Sequence, residues 1–300
     1  MKKILLATTL LAGFAGAASA EVALSGDARM GIISDFGPDD GAVFTSRARV
    51  KFSMSGTTDG GLEFGAEFRA DNADAGDDGL GGAEKGQAGK VFIKGAFGTL
   101  SMGDVDGAAL AAVGDVDGVG LTGLGDFNES VYLSRSDIDP SVLYEYSTGN
   151  LAFYASASQR EEAAADVLAL GAKYSTDAFT VALGYESGDF GAASVDHLII
   201  GASTTFSNVT LKAKYGMADL GGADDATQMA VSATYAMDAL AATIFYNDED
   251  DFNTTKAFGI GASYDLGGGA SVKAGYVNVD SSIAGVEDDD AFDLGIAMEF

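Results

Sequence analysis

Polar and apolar side chains alternate with a period of two along most of the chain after residue 20. Within Glu21–Ile32 the even positions are apolar or small, and the odd positions hold all of the charges. The alternation recurs up to Phe292–Phe300, and none of the apolar faces carries a charge. A period of two is the signature of β-strands with one apolar and one polar face. The chain is therefore restricted to folds in which many strands turn their apolar sides the same way.

The turns between these segments are periodic as well. Glycine, asparagine and aspartate mark tight turns, which from Gly149 onward recur about every thirty residues. Acidic, glycine-rich connections such as Asn72–Gln87, Gly216–Ala226 and Asp280–Asp290 lie between them. The pattern predicts sixteen strands, with short turns at one end of the structure and long loops at the other.

A membrane barrel explains this pattern better than a soluble sandwich. A sandwich buries one face of each strand in a core of bulky side chains, and the sixteen polar faces here must still meet water. Several apolar faces end in an aromatic residue beside a short turn, such as Tyr174 and Tyr264. Aromatic residues are favoured at that height by the lipid headgroup boundary. The sequence therefore predicts one all-β domain over residues 21–300, a 16-stranded antiparallel transmembrane β-barrel without open edges.

The first twenty residues differ from the rest. Lys2 and Lys3 precede the apolar run Ile4–Ala18, and small residues follow up to Ala20. A basic start, a short apolar centre and a small-residue cleavage pattern are typical of a secretory signal peptide. We therefore predict that residues 1–20 are removed on export, which leaves Glu21 at the mature N-terminus.

Composition excludes several classes of function. The chain has 17 basic and 45 acidic residues, a net charge of −28, or −30 without Lys2 and Lys3, so it is a poor partner for nucleic acid. It contains no cysteine, which excludes disulfides and cysteine-zinc sites. We find no nucleophile motif, and we interpret the single histidine, His197, as a residue at the edge of a loop. The sequence predicts neither an enzyme nor a required cofactor.

One stretch breaks the alternation. Val105–Asp139 is rich in glycine, small residues and aspartate, and it shows no strand or helix periodicity. Loops of this length usually carry function or are disordered. We predict that it folds into the barrel and narrows a water-filled lumen; the alternative is an acidic loop on the outer surface. The candidate constriction residues in and beside it are Asp104, Asp106, Asp115, Asp117, Asp126 and Glu129.

Basic residues are concentrated before this loop. Seven of them, which we call the basic wall, occupy polar-face positions of the first four strands: Arg29, Arg47, Arg49, Lys51, Arg69, Lys90 and Lys94. Their spacing from the turns predicts a similar height for one residue on each strand, namely Arg29, Arg49, Arg69 and Lys90. Clusters of charge are the usual filter of a pore, so we predict that this wall faces the acidic loop across the narrowest point. The alternative is that each cation pairs with a nearby carboxylate such as Asp27, Glu67 or Asp71.

The loop also contains the sequence Asp-Val-Asp-Gly twice, at Asp104–Gly107 and Asp115–Gly118. Oxygen-rich clusters of this kind can hold Ca²⁺, but the twelve-residue pattern with its closing glutamate is missing. Two interpretations stay open: a solvated acidic loop, or a bound Ca²⁺ at Asp104, Asp106, Asp115 and Asp117.

Some segments are specific enough to compare with known families. They are EVALSGDARMG from Glu21, SRARVKFSMSGTTDGGLEFGAEF from Ser46, AFGTLSMGD from Ala96, YDLGGGASV from Tyr264, and the terminal Phe300. Together they resemble the trimeric general porins of alphaproteobacterial outer membranes. The resemblance implies sixteen strands, three chains per assembly, a third outer loop folded inward, and Phe300 as an assembly signal. The enteric Pro-Glu-Phe-Gly-Gly signature of that loop is absent, so the inward fold rests on its position and length.

The resemblance implies a porin of the Gram-negative outer membrane, in which ions and small hydrophilic solutes diffuse passively through a water-filled channel. Its expected partners are outer-membrane lipid and two further copies of the chain. One alternative is a substrate-specific channel, which needs a path of lumen aromatics; the polar faces offer only Phe92, Tyr154 and Phe245. Another is an adhesin or receptor with a plugged lumen, which would give no conductance in planar bilayers.

Overall fold

The computed structural model describes residues 20–34, 41–71, 87–134, 141–158, 166–190, 193–221, 225–249, 252, 255–281 and 289–300. The predicted signal peptide, apart from Ala20, lies outside these ranges. So do residues 135–139 of the predicted constriction loop. Both of these boundaries stay predictions.

Within the described ranges, sixteen antiparallel strands close into one barrel, as predicted. The strands are β1 (Glu21–Ser34), β2 (Val43–Thr57), β3 (Glu63–Asp71), β4 (Gln87–Gly95), β5 (Gly98–Gly103), β6 (Ser141–Thr148), β7 (Leu151–Ser158), β8 (Val167–Ser175), β9 (Phe179–Phe190), β10 (Ala193–Phe206), β11 (Val209–Asp219), β12 (Ala226–Met237), β13 (Leu240–Asp248), β14 (Thr255–Gly267), β15 (Ala270–Ser281) and β16 (Asp289–Glu299). Between β5 and β6 lie the helix α1 (Ala108–Val113) and a 3-10 turn (Leu124–Asp126). No helix in the described part of the chain is long and apolar enough to cross a membrane.

The first and last strands form the seam that closes the barrel. Their register runs from Asp27 opposite Glu299 to Ser34 opposite Phe292. At the end of this seam next to the C-terminus, Gly26 and Phe300 exchange two backbone hydrogen bonds of 3.2 and 2.9 Å. Closure leaves no strand edge facing the hydrocarbon, where an unpaired backbone amide would be costly.

The outer face is apolar and exposed, as the alternation predicts. Leu170 and Ile200, for example, are 61% and 54% exposed. Tyr174 and Tyr264 are also exposed on this face, each next to a short turn. Apolar residues that point outward with aromatic residues near the rim are the arrangement that lipid stabilises.

Several short turns need backbone conformations in the left-handed region. Asp238 has a φ of 52°, and Gly267–Gly269 have φ values of 81°, 66° and 85°. Glycine and aspartate tolerate these angles better than most residues, which is why they mark the turns in the sequence. The tight turns lie where the sequence predicts them.

The buried residues lie inside the barrel, between the loop and the lumen wall. Val116, Val119 and Leu124 of the loop pack against buried lumen-side residues of β12–β16, such as Phe245 and Val277. We call the lumen face of β7–β16 the covered wall. The lumen is therefore not polar all round: where the loop lies, the inward positions of several strands are apolar.

The loop contains a helix, contrary to the prediction of no helix there, because α1 has no polar face from which a helical period could be recognised. Ala108, Ala109, Leu110 and Ala112 are all buried, since the helix is enclosed by the wall and by the returning loop. Its residues are good helix formers, but the run is only six residues long. Packing inside the barrel stabilises such a short helix more than intrinsic propensity does.

Candidate functional site: the loop inside the barrel

Helix α1 packs against glycine residues of the lumen face, which have no side chains. A Cβ on Gly171 of β8 would lie 2.6 Å from the Cβ of Ala112, and one on Gly184 of β9 would lie 2.7 Å from the Cβ of Ala109. These distances are too short for real carbon contacts. The glycines of the lumen face therefore allow the helix to approach the strands closely.

Polar groups of the wall fix both ends of the helix. The backbone N–H of Ala108 donates to Ser156 Oγ at 2.8 Å. Lys173 Nζ donates to the carbonyl of Ala111 at 3.0 Å. Both backbone groups belong to helix ends, which have no partner within the helix itself. The wall thus supplies partners that water would otherwise provide.

The middle of the loop is held by two lysines of β11. Lys214, with 3% of its side chain exposed, pairs with Asp115, and Lys212 Nζ lies 2.6 Å from Asp117 Oδ1. Thr234 of β12 donates a further hydrogen bond of 2.9 Å to Asp117. Two of the six predicted acidic constriction residues therefore face the covered wall and not the basic wall.

The tip of the loop is bound by Asp293 of β16. Its Oδ2 accepts hydrogen bonds from the backbone N–H groups of Leu121 and Thr122 at 2.8 and 2.6 Å, and from the Thr122 hydroxyl at 2.8 Å. On the other side, Arg29 donates to the carbonyl of Thr122 at 3.2 Å. Arg29 also lies near enough to Asp126 for their charges to interact.

The returning half of the loop is bound by side-chain amides. Asn247 Nδ2 donates to the carbonyls of Phe127 and Glu129 at 2.8 and 3.0 Å. Gln228 accepts from the N–H of Val131 at 2.9 Å and donates to its carbonyl at 2.8 Å. Each amide therefore replaces hydrogen bonds that a strand partner would give to an extended backbone.

The end of the described loop is bound by Glu186 of β9, which is fully buried. Its carboxylate accepts from the N–H groups of Leu133 and Ser134 at 2.9 and 3.1 Å, and from the Ser134 hydroxyl. His197 Nδ1 lies 3.0 Å from the same carboxylate, and its Nε2 lies 2.9 Å from Gln228 Nε2. A histidine that donates through Nδ1 and accepts through Nε2 satisfies all of these bonds. His197 is fully buried, so its interpretation as a loop-edge residue was wrong: the sequence places it on a strand, but only the fold shows that the loop covers it.

The basic wall pairs mainly with its own carboxylates. Arg49 and Arg69 both bind Asp71, at 3.0 and 2.8 Å. Lys51 and Lys90 both bind Glu67, at 2.8 and 3.0 Å. The remaining pairs are Arg47 with Asp27 at 2.9 Å and Lys94 with Glu63 at 3.2 Å. The alternative of local pairing thus describes six of the seven wall residues, and the seventh, Arg29, donates to the loop.

The four cations predicted to lie at one height lie at different heights in the observed strand register. Arg29 lies opposite Arg47 and not Arg49, while Arg49 lies opposite Asp71. Lys90 lies opposite Glu67. The four cations are therefore staggered along a diagonal, because the shear of the barrel moves each strand relative to the last. This stagger places carboxylates between the cations.

The other predicted acidic residues are distributed along the loop. Asp104, Asp106 and Asp126 are exposed, and Glu129 is partly buried. Among the described residues, no three histidine, cysteine or acidic side chains form a group that could hold a metal ion. Two of the four proposed calcium ligands, Asp115 and Asp117, are instead paired with lysine. The Ca²⁺ site stays a prediction that these contacts do not support.

The predicted lumen aromatics do not form a path. Phe245 is 2% exposed beneath the loop. Lys173 Nζ lies 5.3 Å from the centre of the Tyr154 ring, and both residues contact helix α1. Phe245 and Tyr154 therefore support the loop, which weighs against the substrate-specific channel.

Sequence reasoning missed the residues that anchor the loop. They are Lys212, Lys214, Glu186, Gln228, Asn247 and Asp293. The alternation assigns each of them to the lumen face. It does not show which loop group each residue binds. The available signal was that charges and amides on β9–β16 recur where the same strands also carry glycine and small residues inward.

Comparison with known proteins gives a family. A family model described as Gram-negative porin matches residues 7–284. A porin of Rhodobacter capsulatus is 36% identical over 315 aligned residues, which cover 93% of this chain and all of the relative. A solved porin structure at 34% identity superposes with a TM-score of 0.75, covering 93% of this chain and all of that one. An engineered variant of the Rh. blastica porin has the same fold, with a TM-score of 0.73 at 22% identity and the same coverage.

Proposed function

The chain belongs to the Gram-negative porin family, whose members form outer-membrane channels for passive diffusion, and we propose that residues 104–134 are the constriction of its channel. The observation that carries this proposal is the position of the loop. Its contacts run along the lumen face of β7–β16, while the opposite faces of these strands are apolar and exposed. A loop in that place narrows the route between the two ends of the barrel.

The solutes that fit such a passage are ions and small hydrophilic molecules. Six of the seven cations of the basic wall lie beside Asp27, Glu63, Glu67 and Asp71, and the seventh, Arg29, lies against the loop. Asp104, Asp106 and Asp126 are exposed on the loop. With nearly balanced charge at the aperture, the net charge of the mature chain, −30 without Lys2 and Lys3, decides the sign, so the channel prefers cations and loses this preference as salt screens it.

The most direct test is conductance in planar bilayers. Purified, folded protein should produce stepwise current increases, and a KCl gradient should give a reversal potential of cation preference. Heat-denatured protein of the same preparation is the control. A folded barrel without conductance would favour the plugged adhesin or receptor, and anion preference would contradict the charge argument.

The partners of the channel are outer-membrane lipid and, in our proposal, two further copies of the chain. Strand β5 has six residues, which rise about 20 Å at ~3.3 Å each, less than the ~25 Å apolar band of an outer-membrane barrel. The barrel wall is therefore too short at β5 to span the apolar band, and something other than lipid must contact it there. Neighbouring chains of a trimer would do so. Light scattering of the detergent-solubilised protein should give three chains per particle; one chain per particle would contradict the trimer.

Export is the remaining part of the proposal. Cleavage after Ala20 would leave Glu21 at the N-terminus, and β1 begins at that residue. The mature protein would then start directly in the seam strand. Mass spectrometry of the protein isolated from outer membranes should give a mass that begins at Glu21. A mass that retains residues 1–20 would contradict the cleavage.

A further inference from the structure

Two buried carboxylates of the covered wall bind the loop in the same way. Asp293 is 1% exposed and accepts from two consecutive backbone N–H groups and from the hydroxyl of the second residue, Thr122. Glu186 is fully buried and does the same with Leu133 and Ser134. Charge-assisted hydrogen bonds of this kind are about twice as strong as neutral ones. The loop is thus bound near its tip and near its return.

Of these two sites, the one formed by Asp293 at the loop tip also contacts the basic wall, through Arg29. The peptide unit between Leu121 and Thr122 donates its N–H to Asp293 at 2.6 Å and offers its C=O to Arg29 at 3.5 Å. Its dipole is therefore aligned between a carboxylate and a guanidinium, the orientation that both charges favour. Arg29 makes a second and shorter bond of 3.2 Å to the carbonyl of Thr122.

The surrounding backbone is shaped for this contact. A Cβ on Gly120 would lie 2.7 Å from Asp293 Oδ1, and Gly120 has a φ of 88°. Leu121 sits over the paired glycines Gly31 and Gly295, where a Cβ would lie 2.7 or 2.6 Å from its Cδ2. The hydroxyl of Thr122 also accepts from the N–H of Leu124 at 3.2 Å, which starts the turn that carries Asp126.

From this geometry we propose that Asp293 is a positioning residue for the aperture. Through the Leu121–Thr122 peptide it holds the loop tip against β16 and holds Arg29 toward the loop. Arg29 is then part of a neutral bridge instead of a free cation of the basic wall. This inference rests on the proposed function, since it specifies what fixes the edge of the constriction.

The test uses single-channel recordings of four variants of the full chain. Thr122→Val removes only the hydroxyl and lies outside the strand ladder, while Thr122→Ser keeps the hydroxyl. Asp293→Asn keeps the shape but cannot accept as three donors require. Glu186→Gln is the comparison variant matched for charge, because it also neutralises one buried carboxylate that binds the loop, but at a site away from Arg29. Heat-modified gel mobility verifies that each barrel is folded.

We expect Thr122→Val and Asp293→Asn to raise open-channel current noise several-fold, because the tip moves in the aperture. Thr122→Ser should restore the quiet parent trace, and Glu186→Gln should raise the noise as well, because it loosens the returning half of the loop. The Asp293→Asn reversal potential should also shift toward anions, since Arg29 loses its counter-charge, and Thr122→Val should leave it unchanged. A quiet Thr122→Val channel, or a reversal potential that shifts equally in Glu186→Gln and Asp293→Asn, would overturn the positioning role.

A loop deletion separates this inference from the function on which it rests. If deletion of residues 119–126 raises conductance while the point variants stay quiet, the constriction stands and the role of Asp293 fails. If the deletion leaves conductance unchanged, the constriction itself fails.

Discussion

On the basic wall, six of the seven cations pair with carboxylates of their own or a neighbouring strand. On the covered wall, the lysines of β11 and the carboxylates of β9 and β16 bind the loop instead. The two regions have the same alternating sequence pattern and the same barrel geometry. What differs is whether water or the loop lies against them.

Exposure shows the consequence for single pairs. Lys51 and Glu67 retain 46% and 23% of their side-chain surface, whereas Lys214 and Asp115 retain 3% and 17%. Exposed pairs of this kind contribute little to stability because solvent screens them. A pair that is largely covered cannot lose one member without leaving a charge in a poorly hydrated place. Polar residues of a lumen can therefore be solvated filters in one sector of the barrel and structural anchors in another.

The largest expected effect comes from one substitution made on the two faces of the same strand. Ile200 faces lipid and Ile199 faces the loop, with 54% and 0% exposure. Ile200→Lys should prevent assembly, at a cost of about 2–4 kcal/mol near the midplane. Ile199→Lys should give a folded barrel whose loop is displaced and whose conductance is raised.

Folding yield in detergent and single-channel conductance measure these two outcomes. Thr210→Lys, on the lumen face of β11 beside a short turn, is the control that both assays should tolerate. Equal folding yields for Ile199→Lys and Ile200→Lys would break the assignment of faces.

A smaller effect separates the two kinds of ion pair. Lys214→Met should weaken loop docking by about 1–3 kcal/mol, because it leaves Asp115 without its charge partner beneath the loop. Lys51→Met on the basic wall should change stability by less than about 1 kcal/mol. Hydrogen exchange of the amides in residues 114–134 measures loop docking directly. Similar exchange rates in both variants would remove the distinction between the two walls.

The smallest effect concerns selectivity. Arg49 and Arg69 share Asp71, so replacing both with alanine leaves that carboxylate uncompensated and removes two long side chains from the lumen. Conductance should rise modestly, and the reversal potential in a KCl gradient should shift further toward cations. Lys94→Ala is the control, since the Lys94–Glu63 pair is more than half exposed on both sides. An unchanged reversal potential in the double variant would place these arginines outside the constriction.

The sequence predicted the barrel well because one physical rule governs it. On β2, Val50 and Arg49 are neighbours of opposite parity, and parity alone assigns the first to lipid and the second to the lumen. The rule cannot distinguish a wet lumen face from a covered one. Ile199, Phe245 and Val277 occupy polar-face positions, and they are apolar because the loop lies on them.

The site was predicted only in outline for the same reason. The length and composition of the loop indicated an inward fold, and the basic cluster was correctly placed on the first four strands. The partners were not predictable, because Asp293 and Leu121 are 172 residues apart in the chain. Barrel curvature and strand stagger bring them together, and neither is encoded in a local pattern. Helix α1 was missed because it is short and has no polar face, with Ala108, Ala109, Leu110 and Ala112 all buried.

If the loop lies in the lumen and limits the current, removing part of it must raise the single-channel conductance. The two ends of a deletion of residues 119–126 lie close together, because Asn128 Nδ2 donates to the carbonyl of Val116 at 2.8 Å. Single-channel recordings of this deletion beside the parent, at matched salt, should show a folded barrel with clearly higher conductance. The same conductance in both proteins would place the loop outside the channel and contradict the account.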